Sequence, residues 1–534
     1  MSDTDSLHTH SESTRSSSSK LNKPTVLLYP QDDYHTEHIR THINHALDHL
    51  DLTPWGRTLI KPNVVASGSR FPHAFTRPEF TAGVALALKD RRARVEDQQV
   101  HPMIEWAIGE RCGITMPTRF AFRGAGYYPM AKEVGYTLYH FDEVSQVEID
   151  LKHQGRLRER LFTPEPIARA DFFVNCPKFK AHPWTTVTFS LKNYIGIQDD
   201  RHRLIDHDHR LNDKILDLQY ILQPQFIAID AITAGEGRML TPIPFDLKHV
   251  IAGDNQVAFD SVCCHLIGVD PLSVPHIRLA YEHGFGPVEL DQINIIGDLD
   301  RAKRAAQGFK VGLIRVEDYF QGSSIQAYGG LPPSDGDQDY CWGGCPGALE
   351  EAIEILRLTD DQVDEKMPKV HIVFGDYQGE LNPKDDERVI FIGDCARYHG
   401  ELKGELVQID SQMKERSLID PREAKVDDIF VKMAKMEALF YSSGDVMRVK
   451  GCPVSVAEQV LILVKVGKLK NPYFDLKEAI PFTSCYLSWR TQKLINLIFG
   501  RGKNLIEDHR PQRGDAAVQN SVQSERMVDI SKDH

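Results

Sequence analysis

The sequence predicts an α/β protein, with two mostly parallel-sheet α/β domains and disordered N- and C-terminal tails. Three observations lead there. Short apolar runs alternate with helix-patterned stretches, as in chains of strand–helix–strand units. Several runs are apolar on both faces, which suits strands covered by helices on both sides. The residues richest in chemistry sit at the carboxyl ends of these runs, where open α/β sheets bind ligands.

Strands are expected at "TVLLY" (25–29), "RTLIKPNV" (57–64), "DFFVNCP" (171–177), "QFIAIDAI" (225–232), "KHVIAG" (248–253), "INIIG" (293–297), "KVHIVFG" (369–375), "RVIFIGDC" (388–395) and "VMRVKGC" (446–452). Helices are expected at 78–90, 257–268, 347–357, 421–440 and 454–467. The stretch "YFQGSSIQAYGGLPPSDGDQDY" is rich in Gly, Pro, Ser and Asp and reads as a linker. The chain then divides into a tail (1–23), an α/β domain (24–318), a linker (319–337), a second α/β domain (338–480), an amphipathic segment (481–507) and a second tail (508–534). The amphipathic "TSCYLSWRTQKLINLIFG" is expected to pack on the body, with membrane-surface contact as the lesser alternative.

A net charge of −13 disfavours general nucleic-acid binding. The first 23 residues lack the apolar core of a secretory signal, and Asp3, Asp5 and Glu12 argue against a transit peptide. No run of about 18 apolar residues occurs, so no membrane span is expected. Nine cysteines, an odd number without an export signal, fit a reducing cytoplasm with thiols free or metal-bound.

Cys112, Cys176, Cys263, Cys264 and Cys485 read as unrelated core cysteines. Cys341 and Cys345 bracket a Trp-Gly-Gly turn before a helix, whereas Cys395 and Cys452 stand alone at expected strand-to-helix corners. Four thiolates suit a [4Fe–4S] cluster or a structural Zn²⁺. Structural zinc favours two tight pairs. Only one is present, which favours a cluster. The order "CWGGCPGALEEAI … VIFIGDCA … VMRVKGCPVSVAEQVLILV" resembles the iron–sulfur small subunit of NADH:quinone oxidoreductases and nickel-iron hydrogenases. The resemblance covers roughly 338–470 and implies that Cys341, Cys345, Cys395 and Cys452 hold one [4Fe–4S] cluster. It departs in its C-x₃-C spacing and in a single proline after Cys452.

The N-terminal body carries the cations. Lys178, Lys180, His182, Lys192 and Asn193 fall in one strand–loop–helix unit, and Lys61 and Asn63 end another strand. Such a cluster predicts a site for a carboxylate or phosphate. A solvated charged loop is the alternative. Asp230 ends an apolar strand and needs a partner, for which one of the lysines would serve. Asp260 lies in a helix, as a further binding residue or a cap. His202, His207 and His209, with nearby aspartates, form a possible second metal loop. The words "LIKPNVV", "ADFFVNCPKFKAHPWTTVTFSLKNYIG", "FIAIDAI" and "HVIAGDNQVAFDSVCCHLIGVDP" resemble the family catalogued as domain of unknown function 362. This resemblance covers about 55–290 and implies an α/β domain often joined to iron–sulfur modules. Ala181 replaces the family's usual threonine, and "TAGEGRM" replaces its usual glycine-rich segment.

The expectation is a cytoplasmic iron–sulfur oxidoreductase that passes electrons from a [4Fe–4S] cluster to an anionic small molecule. Lys180 or His182 would be the general acid, and Lys61, Asn63, Lys178, Lys192, Asn193, Asp230 and Asp260 the binding residues. A ferredoxin-like protein would supply the electrons, and the two bodies should share an interface. Two alternatives are a non-catalytic electron carrier or assembly factor, and a metal-dependent hydrolase, transferase or isomerase with a structural zinc.

Overall fold

The apolar runs of the N-terminal half assemble into one sheet because each offers both faces to a core. The computed structural model describes residues 23–68, 71–95, 101–113, 116–199, 203, 210–312, 314–332, 340–341, 344–413, 429–442 and 444–499. The expected tails, Lys23 aside, lie outside the described residues, as do His202, His207 and His209.

In chain order this half contributes β1 (Thr25–Pro30), β2 (Gly56–Pro62), β3 (Met103–Glu110), β4 (Thr137–His140), β5 (Gln146–Asp150), β6 (Arg160–Pro164), β7 (Phe172–Cys176), β8 (Lys178–His182), β9 (Thr186–Val187), β10 (Phe226–Glu236), β11 (Ile243–Gly253) and β12 (Asn294–Ile296). The sheet order is β12-β1-β11-β10-β7-β2-β3-β4, with β8 beside β10, β9 beside β8, and β5 and β6 a separate hairpin. β10, β7, β2, β3 and β4 run parallel, as do β1 and β12, while β11 is antiparallel to both neighbours. Alternate side chains enter opposite core layers. Phe172 and Val174 join one layer and Phe173 the other, and Ile227 and Ile229 alternate with Phe226 and Ala228. Helices Thr36–His49 and Pro78–Arg94 cover one face, Gln256–Leu266 and Pro275–Glu282 the other.

The C-terminal half repeats the plan on a smaller scale with β13 (Ile325–Gly329), β14 (Val370–Asp376), β15 (Arg388–Leu402), β16 (Glu405–Ile409) and β17 (Val446–Val449). β13, β14, β15 and β17 are parallel, and β16 closes an antiparallel hairpin on β15. The expected linker therefore needs correction. It contains β13, whose Ile325 and Ala327 are buried, and Val316 and Phe320 before it belong to the same core. A five-residue strand among glycines and polar residues has too few alternations to announce itself.

The two halves meet along helix Gly344–Arg357. Its Glu351 is fully buried and accepts the backbone N–H groups of Met239 (2.5 Å), Leu240 (2.9 Å) and Thr241 (3.2 Å) and the Thr241 hydroxyl (3.0 Å). Gly347 lies under Trp184, where an added Cβ would stand 2.1 Å from the indole nitrogen. The amphipathic segment becomes helix Leu476–Ile498 and returns to the N-terminal half. Trp489 Nε1 donates to the Asp142 carbonyl (3.3 Å), Asn496 Nδ2 to the Glu143 carbonyl (2.7 Å), and Phe482 meets Phe120 edge-on. Among the described residues no helix is long and apolar enough to cross a membrane.

Candidate functional site

Residues 171–196 position most of the expected site. β7 ends at Asn175 and Cys176, β8 continues in the same direction farther along β10, and the short helix Phe189–Lys192 returns Lys192 and Asn193 to the sheet. Lys178 faces Asp230 across β8 and β10, and its Nζ donates to Asp230 (2.9 Å) and to the Tyr34 hydroxyl (3.0 Å). Tyr34 donates to the other Asp230 oxygen (2.9 Å). Burial pulls the Lys178 ammonium down, but Asp230 and Tyr34 outweigh it and leave its pKa raised. Lys61 is paired with Glu110 and bonds Asn193 Oδ1 (3.3 Å). Here burial wins, lowering the lysine and raising the glutamate.

Asp260 accepts the backbone N–H groups of Ser190 (2.8 Å) and Leu191 (2.9 Å) and so caps the short helix that carries Lys192. Burial pushes its carboxyl up to about 8, while the two donors draw it back. Lys61, Lys178, Asp230 and Asp260 sit behind the site and hold its floor.

Asn63, Lys180, His182, Lys192 and Asn193 line a cavity of about 400 Å³ between the two halves. Lys180 Nζ donates to the carbonyls of Ala74 (2.8 Å) and Met239 (3.0 Å), and burial pushes its pKa down to about 7. His182 Nδ1 accepts the Trp184 N–H (3.1 Å), which places the proton of the neutral ring on Nε2. Lys192 forms no hydrogen bond or ion pair among the described residues. Burial, then the nearby Lys180 and Arg203, push its ammonium far down. Asn63 Oδ1 is buried with no hydrogen-bond partner among the described residues. The facing wall is apolar and comes from both halves, with Phe120, Trp184, Met433, Val454 and Phe482. Sequence reading missed Glu110, Trp184 and Phe482. Glu110 ends β3, whose polar residues hide its alternation. Trp184 stands two residues from His182 inside a motif already singled out for its cations.

Cys341, Cys345, Cys395 and Cys452 line a second cavity of about 10 Å³, room for about one water. The first three are buried and Cys452 partly so. Cys345 lies in the first turn of helix Gly344–Arg357, and its Sγ accepts the Val454 N–H (3.1 Å). Cys395 does not stand at a strand-to-helix corner, because β15 runs on to Leu402. Ile392 pairs with Phe374 and Arg397 with Asp376, so residues 393–396 bulge opposite Gly375 alone. Gly393 has φ 109°, and a Cβ there would lie 3.3 Å from Cys395 Sγ and 3.8 Å from Cys345 Sγ. Asp394 ties this bulge to the Cys452 loop: its N–H donates to the Gly451 carbonyl (2.8 Å), and its Oδ1 accepts the Gly451 N–H (3.0 Å).

Four soft thiols, two of them beside the positive-φ glycines Gly393 and Gly451 and one with an N–H aimed at its sulfur, are a donor set for an iron–sulfur cluster or zinc. Among the described residues no three His, Cys, Asp or Glu side chains are grouped to hold a metal ion. Gly344 and Pro453 line both cavities, so the cysteine site abuts the wall of the larger one.

Residues 58–265 match the profile of the family described as "Domain of unknown function (DUF362)". That span holds every expected site residue of the N-terminal half and stops short of the four cysteines. A thylakoid-associated protein of Synechocystis sp. is 22% identical over 243 residues, which cover 44% of this chain and 70% of that protein. Among solved structures, the lactate racemase apoprotein from Thermoanaerobacterium thermosaccharolyticum aligns over 80% of this chain and 94% of its own at 10% identity. Its TM-score is 0.30, too low to establish a shared fold.

Proposed function

We propose that the chain is a cytoplasmic iron–sulfur oxidoreductase that reduces an anionic small molecule in the cavity between its halves. The observation that carries this reading is the common wall: Gly344 and Pro453 border both the four cysteines and the cationic cavity. Cys341, Cys345, Cys395 and Cys452 would hold a [4Fe–4S] cluster, which supplies electrons one at a time when bound. The thiols, the N–H on Cys345 and the glycine turns fit that group in kind, and the small volume between them implies that the loops open to admit it.

The remaining work falls to residues of the N-terminal half. Lys192, with no carboxylate partner among the described residues, takes up a proton as it pairs with the substrate's negative group. Asn63 Oδ1 accepts a donor from the substrate. His182 carries a proton on Nε2 and is held in that tautomer by the Trp184 N–H, so it is placed to protonate the reduced product. Lys180, with a pKa near 7, is the second proton donor. The apolar wall limits water, which strengthens each of these charges. A cavity of this size favours a substrate over the electron-carrier reading, in which no pocket is required. A ferredoxin-like protein would be the electron donor.

The test is metal and sulfide content of anaerobically purified protein, with EPR after dithionite reduction. The expected result is about four irons and four sulfides per chain, with a reduced-state signal lost in Cys395→Ala and Cys452→Ala. Lys180→Met and His182→Gln should keep that signal and lose turnover. One zinc and no sulfide would sink the proposal.

A further inference from the structure

The cavity joins two kinds of surface that ordinarily avoid each other. At one end lie Lys180 and Lys192 with Arg203; Lys180 and Arg203 are buried and Lys192 half-buried. Among the described residues no carboxylate pairs with Lys192. Burial favours the neutral amine on such a lysine, and an anionic ligand that pairs with it restores the charge. The rest of the wall is aromatic and aliphatic. Phe120 and Phe482 are packed edge-on, Trp184 is fixed over Gly347, and Met433 and Val454 come from the C-terminal half. The volume of about 400 Å³ falls at the lower end of the roughly 300–1,000 Å³ typical of sites for drug-sized ligands.

We infer that the ligand of this cavity is an amphiphilic carboxylate, with its head on Lys192 and a bulky apolar body against the Phe120, Trp184 and Phe482 wall. This inference rests on the proposed anion site and narrows it to one chemical class. A small polar anion would answer Lys192 and leave the apolar wall facing water. An uncharged apolar molecule would cover the wall and leave Lys192 unanswered. Only a molecule with both parts satisfies both surfaces. The last helix matters here, because Phe482 belongs to it and supplies part of the wall.

Calorimetry on the full chain tests this with straight-chain carboxylates from hexanoate to dodecanoate, the matching alcohols, acetate and inorganic phosphate. Carboxylate binding should tighten roughly threefold per added methylene until the cavity is filled. Decan-1-ol should bind at least roughly tenfold more weakly than decanoate. Lys192→Met should erase the difference between decanoate and decan-1-ol. Phe482→Ser should weaken decanoate and leave hexanoate within about twofold. Thermal unfolding of both variants establishes that they are folded. If acetate or phosphate binds as tightly as decanoate, the amphiphile inference is overturned and the anion site stands. If no anion binds, or if Lys192→Met changes nothing, the anion site falls as well.

Discussion

Lys178 and Lys180 are two residues apart on one strand, both buried, and they have opposite fates. Across from Lys178, β10 places Asp230; across from Lys180 it places Gly235. The first lysine gains a carboxylate and becomes part of the scaffold. The second gains only two carbonyl acceptors and keeps its place on the cavity. The same contrast holds between Lys61, matched by Glu110, and Lys192, matched by nothing among the described residues. A buried lysine with a carboxylate partner is architecture. A lysine on the cavity without one leaves its charge to be answered by a ligand.

The contrast breaks hardest where a partner is removed. Glu110→Ala strands Lys61 in the core and should cost about 3–5 kcal/mol in urea unfolding, with much of the loss restored in a Lys61→Met, Glu110→Met pair. Gly196→Ala attacks the same pair from the side, since its Cβ would stand 2.3 Å from Glu110 Oε1 and 2.9 Å from Lys61 Nζ; about 1–3 kcal/mol should be lost.

Lys180 sharpens the comparison through pH. Its folded pKa near 7 lies below the ordinary lysine value of 10.5, so above pH 7 the unfolded chain holds more protons and stability rises with pH. The bonds to Ala74 and Met239 favour the charged form and moderate the slope. We expect a gain of about 1–2 kcal/mol from pH 7 to 9, absent in Lys180→Met, as read by unfolding at each pH. The smallest effect belongs to Lys192→Met, which should change stability by less than about 1 kcal/mol while weakening decanoate to the level of decan-1-ol. A loss as large as that of Glu110→Ala would place Lys192 with the scaffold lysines.

Much of the fold was legible because its central strands are apolar on both sides, as in "DFFVNCP" and "FIAIDAI". β3 escaped because "MIEWAIGE" mixes charges into a strand near the sheet edge, and helix Thr36–His49 escaped because four histidines obscure its apolar stripe. The cations of 178–193 announced a site, but which of them would be neutralised was invisible. That depends on register: Lys178 and Lys180 are two residues apart, but a shift in the pairing of β8 with β10 sets their partners Asp230 and Gly235 five apart. The four cysteines were legible as a set. The placing of Cys395 was not, because the strand resumes after its bulge.

Glu351 gives this architecture a mechanical property. The helix that carries it has Cys345 in its first turn, and the carboxylate grips the loop of Met239, whose carbonyl holds Lys180. One rigid rod and one loop residue thus connect a sulfur at one end to an ammonium at the other. Through Glu351 and Met239, one buried carboxylate braces the borders of both cavities.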